Sequence, residues 1–390
     1  MERIIIIVFI LLFAGCKNDN DEAVSQEIEL CVIFKNESII KLSNFQFKIL
    51  DIEGNTLLLD RTDFDEKKSL KLVKQQPVFL ELYIKDDCRD FSIKRELGLF
   101  VSNQTKEIVI SNDDLGIKDS VEEKVYEGYL NISNQEELDA FGLQNYSKIV
   151  GDITISGVNN LCSLKYLKEV TGFFGIGEHS SPDGNVVYAY RNPDLHTLSG
   201  LENLSTVGGS LQVYFSSCIN LNELSNLTSI GGGLSIYSNE LLTNIDGLSK
   251  IEKVARLEIM SNNVLPDLNG LSNLETIYSD ISTWTNGQGD IYESPSLMIF
   301  ANASLKNVDG LAKIKFPINS LRIGKNDSLS NLNGLLNVPE IQARILIREN
   351  TLLTDFCGLK GVPKVDRYYV GGNGYNPTQE QLATDECKED

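Results

Sequence analysis

Histidine is almost missing from this chain: only His179 and His196 occur in 390 residues. That shortage excludes a zinc site built on several imidazoles, and it leaves histidine-dependent acid–base or nucleophilic catalysis very few ways to exist. Basic residues are also scarce, with 35 Lys+Arg against 55 Asp+Glu and a formal net charge of −20. Nucleic acid and anionic membrane surfaces both call for a basic footprint, so neither is an expected partner. The apolar run at residues 4–13 is too short to cross a bilayer as a helix. No Gly-rich phosphate loop follows a strand and opens a helix. What is present is the composition of a folded protein, 42% hydrophobic and 23% charged. The length suggests two or three domains.

Met1-Glu2-Arg3, the apolar run and then Ala14-Gly15-Cys16 match the layout of a signal peptide over residues 1–15. The stretch Leu12-Phe13-Ala14-Gly15-Cys16 resembles the lipobox of bacterial lipoproteins. The resemblance implies cleavage before Cys16, acylation of that residue and a membrane partner through the lipid anchor. An ordinary secretory signal with an incidental Cys16 is the alternative. Residues 16–26 are polar and mostly acidic and read as a flexible tether. They also resemble the acidic export signal of surface lipoproteins in Bacteroidetes-type bacteria, which implies an outer-membrane protein exposed on the cell surface.

From 27 to 118, short alternating runs are separated by turn signals such as Glu53-Gly54-Asn55. Phe45, Phe47 and Ile49 share one face; Val78, Leu80, Leu82 and Ile84 share another. Roughly seven short strands in this span argue for a β-sandwich of immunoglobulin-like or prealbumin-like type. Cys31 and Cys88 are disulfide candidates if the compartment is oxidising. Residues 119–125 read as a linker.

Self-similarity fills the rest, residues 126–390. Leu221-x-x-Leu224-x-x-Leu227-x-x-Ile230-x-Gly232-x-Leu234-x-Ile236 repeats the pattern of Leu198-x-x-Leu201-x-x-Leu204-x-x-Val207-x-Gly209-x-Leu211-x-Val213. The unit restarts at Val158, Leu195, Cys218, Leu242, Leu265, Leu305, Leu329 and Leu353, in steps of 37, 23, 24, 23, 40, 24 and 24. Leu-x-Ile predicts a short strand with two side chains inward, and a coil cannot bury its apolar edge alone, so coils stack as parallel strands. Asn192, Asn239, Asn262, Asn302, Asn326 and Asn350 fall three residues before the next coil start. Such a column suits a buried amide ladder that satisfies the turn backbones. The pattern resembles leucine-rich repeats, which share the Ile245-Asp246-Gly247-Leu248 phrase. More closely, it resembles the receptor L domain in the form found on bacterial lipoproteins, over roughly residues 126–388. That resemblance implies a right-handed parallel β-solenoid that binds ligands or mediates adhesion and has no catalytic residues. The whole chain is therefore expected to be all-β dominated, with short capping helices introduced by Ser133-x-x-Glu136 and Thr378-x-x-Gln381. Cys357 and Cys387 are expected to form a disulfide at the C-terminal end. Cys218 takes a core leucine position, and a Cys162–Cys218 bridge would exceed disulfide reach.

The residue after the second inward strand position should point outward. That column reads Tyr190, Tyr214, Tyr237, Met260, Phe300, Gly324 and Arg348; its companion reads Tyr188, Gln212, Ser235, Glu258, Met298, Arg322 and Leu346. Large apolar and aromatic residues on an outer sheet face either stack on one another, lie under an inserted loop, or bind a ligand. Insertions at 173–186 and 278–295 are expected to enter just before the strand and flank this column. The second carries Tyr278, Trp284 and Tyr292. The ligand-binding candidates are therefore Tyr188, Tyr190, Tyr214, Tyr237, Met260, Phe300, Trp284 and Tyr292. His179, Ser180, Ser181 and Asp183 lie too close together in a Pro/Gly loop to converge as a triad. Asp280, Asp290 and Glu293 lack EF-hand spacing. No catalytic residue, metal or cofactor is expected. The leading expectation is a non-enzymatic surface protein that binds a glycan or a protein. The alternatives are a polysaccharide-degrading β-helix enzyme, or a structural subunit of an outer-membrane complex.

Overall fold

The computed structural model describes residues 27–36, 45–62, 66–73, 77–86, 88–100, 102–111, 123–177, 191–278, 283–285, 291–293 and 296–389. The expected signal, tether and lipidated Cys16 lie outside them. The chain divides into two compact units, Met1–Glu122 and Glu123–Asp390, and the division falls inside the expected linker.

The first unit contains β1 (Glu27–Asn36), β2 (Phe45–Leu50), β3 (Thr56–Thr62), β4 (Lys67–Val73), β5 (Pro77–Asp86), β6 (Arg89–Leu99) and β7 (Gln104–Ile110). They form two sheets, β4-β1-β7 and β3-β2-β5-β6. Pairing is antiparallel except between β1 and β7. Period-2 alternation sends Leu30, Val32 and Phe34 of one sheet and Phe47, Ile49, Leu80 and Leu82 of the other into a single core. The Phe34 and Phe47 rings meet at 5.0 Å. Cys31 is a free, buried thiol, so the expected Cys31–Cys88 bridge does not form. Residues 30 and 32 point into the core, and alternation turns Cys31 the other way.

In the second unit, the Leu-x-Ile runs become the strands of one ten-stranded sheet. In chain order they are β8 (Leu130–Ile132), β9 (Ile153–Ile155), β10 (Phe174–Ile176), β11 (Leu211–Tyr214) and β12 (Leu234–Tyr237). They continue with β13 (Leu257–Met260), β14 (Leu297–Phe300), β15 (Ile318–Gly324), β16 (Ile341–Arg348) and β17 (Arg367–Gly371). Spatial order follows chain order and every pairing is parallel. A second, five-stranded parallel sheet runs from Val125–Glu127 to Ser229–Ile230. The Leu-x-x-Leu bends are short 3-10 turns, such as Asp246–Leu248 and Asn333–Leu335. Their middle glycines are required by close stacking. A Cβ on Gly247 would stand 1.8 Å from the Leu221 carbonyl oxygen of the coil before, and one on Gly358 would stand 1.7 Å from that of Leu332. The inward leucines and isoleucines are essentially fully buried in one continuous core.

The asparagines form the ladder. Each Oδ1 accepts the backbone N–H of the preceding rung: Asn262 from Asn239 at 3.1 Å, Asn302 from Asn262 at 3.0 Å, Asn326 from Asn302 at 3.0 Å. Each Nδ2 donates to a strand carbonyl of the preceding coil, as Asn302 does to Ile259 at 2.9 Å. Ser216 fills one rung, and Asn373 and Asn376 extend the ladder beyond Asn350. The residue before each rung turns through positive φ in six coils: Phe215, Ser238, Ser261, Ala301, Lys325 and Glu349. Non-glycine residues adopt that conformation at a cost, and the ladder bonds hold them there. A second, half-buried Asx column stands beside the ladder. Asn220, Asn244, Asp267, Asn307 and Asn331 each accept the backbone N–H two residues on and open the 3-10 turns.

Both ends are closed. The first helix, α1 (Gln135–Gly142), begins one residue later than the Ser133-x-x-Glu136 pattern predicts. Asn134 is its N-cap and accepts from the Glu137 N–H, while Glu137 reaches back to the Ser133 N–H and hydroxyl. Asparagine caps as well as serine does, so the neighbouring residue won. At the other end Thr378 and Gln381 make both bonds of a capping box over α2 (Gln379–Leu382); a separate 3-10 turn then reaches Cys387. Cys357 and Cys387 are joined by a disulfide. Cys218 is a free, buried thiol, and burial pushes its pKa up to about 11.

Candidate ligand-binding face

Alternation along β11–β17 turns Leu211, Val213, Leu234 and Ile236 into the core and their neighbours outward. The register sets those neighbours side by side: Tyr214 with Tyr237, Tyr237 with Met260, Met260 with Phe300, Phe300 with Gly324, and Gly324 with Arg348. Gln212, Ser235, Glu258, Met298, Arg322 and Leu346 form the companion row in the same way. From Tyr214 onward both columns therefore stand in register on one face.

In the coil before β11 the sequence columns named Tyr188 and Tyr190. The strand of their coil is β10, and Gly175 and Gly177 occupy the corresponding places. Val186-Val187-Tyr188-Ala189-Tyr190 also alternates like a strand and ends at the usual distance from Asn192. Both tyrosines, with His179, Ser180, Ser181 and Asp183, lie outside the described residues. The first insertion consequently leaves after its strand, between Ile176 and Asn192, whereas the second precedes its strand, between Ile277 and Leu297. Their described flanks therefore lie at opposite strand ends, not both before the strand as expected. The second contains a two-stranded antiparallel ribbon, Thr283–Thr285 with Ile291–Glu293, in which Trp284 and Tyr292 are paired across the strands. Tyr278 is exposed and its hydroxyl donates to the Gly231 carbonyl. His196 is exposed.

The two ends of the face differ in their chemistry. At the β11–β13 end Tyr214 is only 7% exposed. Its ring meets Tyr237 edge-on at 5.4 Å, and Phe215 packs against Tyr237 at 5.1 Å. The Arg191 guanidinium sits 4.5 Å from the Phe215 ring centre. Burial raises the Tyr214 hydroxyl well above the usual phenol range, while a hydrogen bond with Ser235 works the other way. Ser235 in turn donates to Glu258 at 2.7 Å, and Arg256 pairs with Glu258 at 3.7 Å. The one carboxylate of these rows is thus already engaged.

At the β14–β17 end, Phe300 lies over Gly324: a Cβ on that glycine would meet the ring at 2.9 Å. Three cations stand around the same ring, Arg322 at 4.7 Å and Lys325 and Arg348 at 5.8 Å. Arg344 and Arg367 are paired in register on the next outward positions of β16 and β17, and Tyr369 beside them is 56% exposed. Burial lowers the Arg322 pKa, and the charges of Arg348 and Arg344 add to the effect. Sequence reading placed Arg322 and Arg348 in the columns without weighing them as a cluster. Carrying the columns one coil further, to Arg367 and Tyr369, would have shown it.

Among the described residues no three His, Cys, Asp or Glu side chains converge as a metal site would require. No family model, no curated protein and no solved structure matches this chain.

Proposed function

We propose that this protein is a non-enzymatic recognition module, carried to the outer surface of a bacterial cell by a lipid on Cys16, that binds a glycan or protein ligand on the outer face of its solenoid. The observation that carries the reading is the outward row Tyr237, Met260, Phe300, Gly324 and Arg348 on consecutive strands, with the Phe300 ring lying over the glycine and Arg322 and Arg348 around that ring. Recognition surfaces favour aromatic and arginine side chains held by an ordered scaffold. The parallel stacked coils support the receptor L domain resemblance, from which right-handed winding is expected, and the two sheets of the first unit support an immunoglobulin-like or prealbumin-like sandwich that spaces the solenoid from the membrane. Trp284 and Tyr292 belong to the same recognition reading as ribbon residues. An enzymatic role on this face finds less support, because Glu258, the carboxylate of the two rows, is tied to Ser235 and Arg256.

The test is a glycan array together with a pull-down from cell-surface extracts, using the full mature chain and a Phe300→Ala/Arg348→Ala double variant. Selective binding by the wild type that the variant loses supports the reading. Equal profiles for the two proteins remove this face as the site. Separately, acyl-chain labelling of the cell-expressed chain should vanish in Cys16→Ala; labelling that persists removes the anchor.

A further inference from the structure

In a chain with a net charge of −20, the outward positions of β15–β17 hold Arg322, Arg344, Arg348 and Arg367 and no aspartate or glutamate. Clustered like charges destabilise a fold unless something answers them. Glu349, at the turn after β16, lies 3.3 Å from Arg348 and 3.7 Å from Lys325. Neither Arg322 nor Arg344 has an ion pair or a hydrogen bond there. The Nε–H groups of Arg322 and Arg348 are buried and have no acceptor. A buried, unanswered donor costs about 1–3 kcal/mol, and more when charged, so a cluster kept in this condition needs an explanation.

Building on the recognition reading above, we infer that Arg322 and Arg348, around the Phe300 ring, and Arg344, further along β16 and beside Tyr369, form a binding site for an acidic polysaccharide. Three considerations select that ligand. The guanidinium fork matches carboxylate and sulfate oxygens in two-point contacts. The charges are also spread out: Arg344 and Arg348 are about 13 Å apart along one strand, and β15 to β17 span about 10 Å across. A single small anion cannot touch them all, whereas a chain with repeating charges can, and an exposed ring such as Tyr369 offers a sugar face a stacking surface. Finally, β15 and β16 are paired on both sides. A peptide lying across them would find no free strand edge for its own backbone groups, while sugar hydroxyls remain satisfied by water.

The overall negative charge makes the inference sharp. A polyanion is repelled by most of this molecule, so attraction must come from the local cluster, within a screening length of about 10 Å at 0.1 M salt. Binding should be measured by calorimetry with the full mature chain against dextran sulfate, polygalacturonate, dextran, methyl-esterified pectin and poly-glutamate. Sulfate and carboxylate sources are distinguished by the first two probes, and charge from sugar by the next two. The expected result is binding to one or both acidic glycans and to neither neutral one. Arg322→Gln and Arg344→Gln should each weaken it roughly tenfold or more, with melting temperature unchanged or raised. A merely structural arginine would lower the melting temperature instead. Should Arg322→Gln melt lower, the exposed Arg344→Gln carries the test. Undiminished binding in the variants overturns the inference, as does equally tight binding of poly-glutamate. Binding confined to neutral glycans also overturns it but leaves the broader recognition reading standing. Absence of binding to any glycan removes this inference, and the array and pull-down then decide the broader reading alone.

Discussion

Tyr214 and Arg322 occupy the same sheet face four strands apart, about 19 Å at 4.8 Å per strand, on backbone of the same kind. Around Tyr214 the charges and hydroxyls are paired, ring on ring, Ser235 to Glu258 and Glu258 to Arg256, although the Arg256 Nε–H has no acceptor. Around Arg322 the rings and guanidinium groups crowd together with unanswered Nε–H donors. One repeat can thus set a guanidinium beside a carboxylate, as at Arg256 and Glu258, or leave it without one, as at Arg322, simply by changing two outward residues per coil. The inward positions, which set the fold, stay the same. The difference teaches that aromatic content alone does not mark a binding surface; the buried tyrosine end is the more aromatic and the less available.

The largest expected effect tests that contrast directly. Tyr214→Ala should cost about 3–5 kcal/mol, as for other large-to-small changes in a packed site, whereas Tyr369→Ala should stay within about 0.5 kcal/mol. Urea unfolding midpoints measure both, and equal costs would erase the distinction between the two ends. Next, removing the Cys357–Cys387 bridge, which closes a separation of 30 residues, should cost about 3–4 kcal/mol by loop entropy. Hydrogen exchange should show the loosening in β16 and β17 and leave β11 protected. Asn302→Ala should cost about 1–3 kcal/mol for each ladder partner left without a bond. It lies between the two ends, so amides of both neighbouring coils should exchange faster; a change confined to its own coil breaks the idea of a continuous ladder. The smallest effect is in pH. Tyr214 holds its proton more tightly folded than unfolded. Its contribution is therefore complete below the unfolded phenol value of about 10 and declines as pH rises above it toward the folded value. Stability of Tyr214→Phe should fall less steeply than wild type between about pH 10 and 11, and parallel curves would contradict the buried hydroxyl.

Much of the solenoid was legible because its constraints repeat. Leu234 and Ile236 must point inward in every coil, so a one-residue slip would expose a whole row, and the asparagine column followed from the turn that such a coil must make. The outward register from Tyr214 to Arg348 came from the same arithmetic. Insertions escaped it. Nothing local tells Phe174-Gly175-Ile176 from the alternation at 186–190; the neighbouring strand β11, which pairs with the former, decides between them. Cys31 likewise could not be assigned from strand membership, since pairing depends on which face it takes. The arginine cluster was missed because it is a property of three strands together, and each coil contributes only one or two of its members.

The ladder is directional: its amide oxygens serve the coil before them, from Asn192, which accepts the Val158 N–H, to Asn373, which accepts that of Asn350. The solenoid is therefore modular in a definite sense. Excising residues 303–326, from one rung to the next, would leave Asn302 facing Asn350 with the same donors and acceptors on each side. Interior coils are interchangeable cassettes, and the two caps are not. A lineage carrying this array could lengthen or shorten its reach, or exchange one outward row for another, by recombination between rungs, without redesigning a single buried contact type.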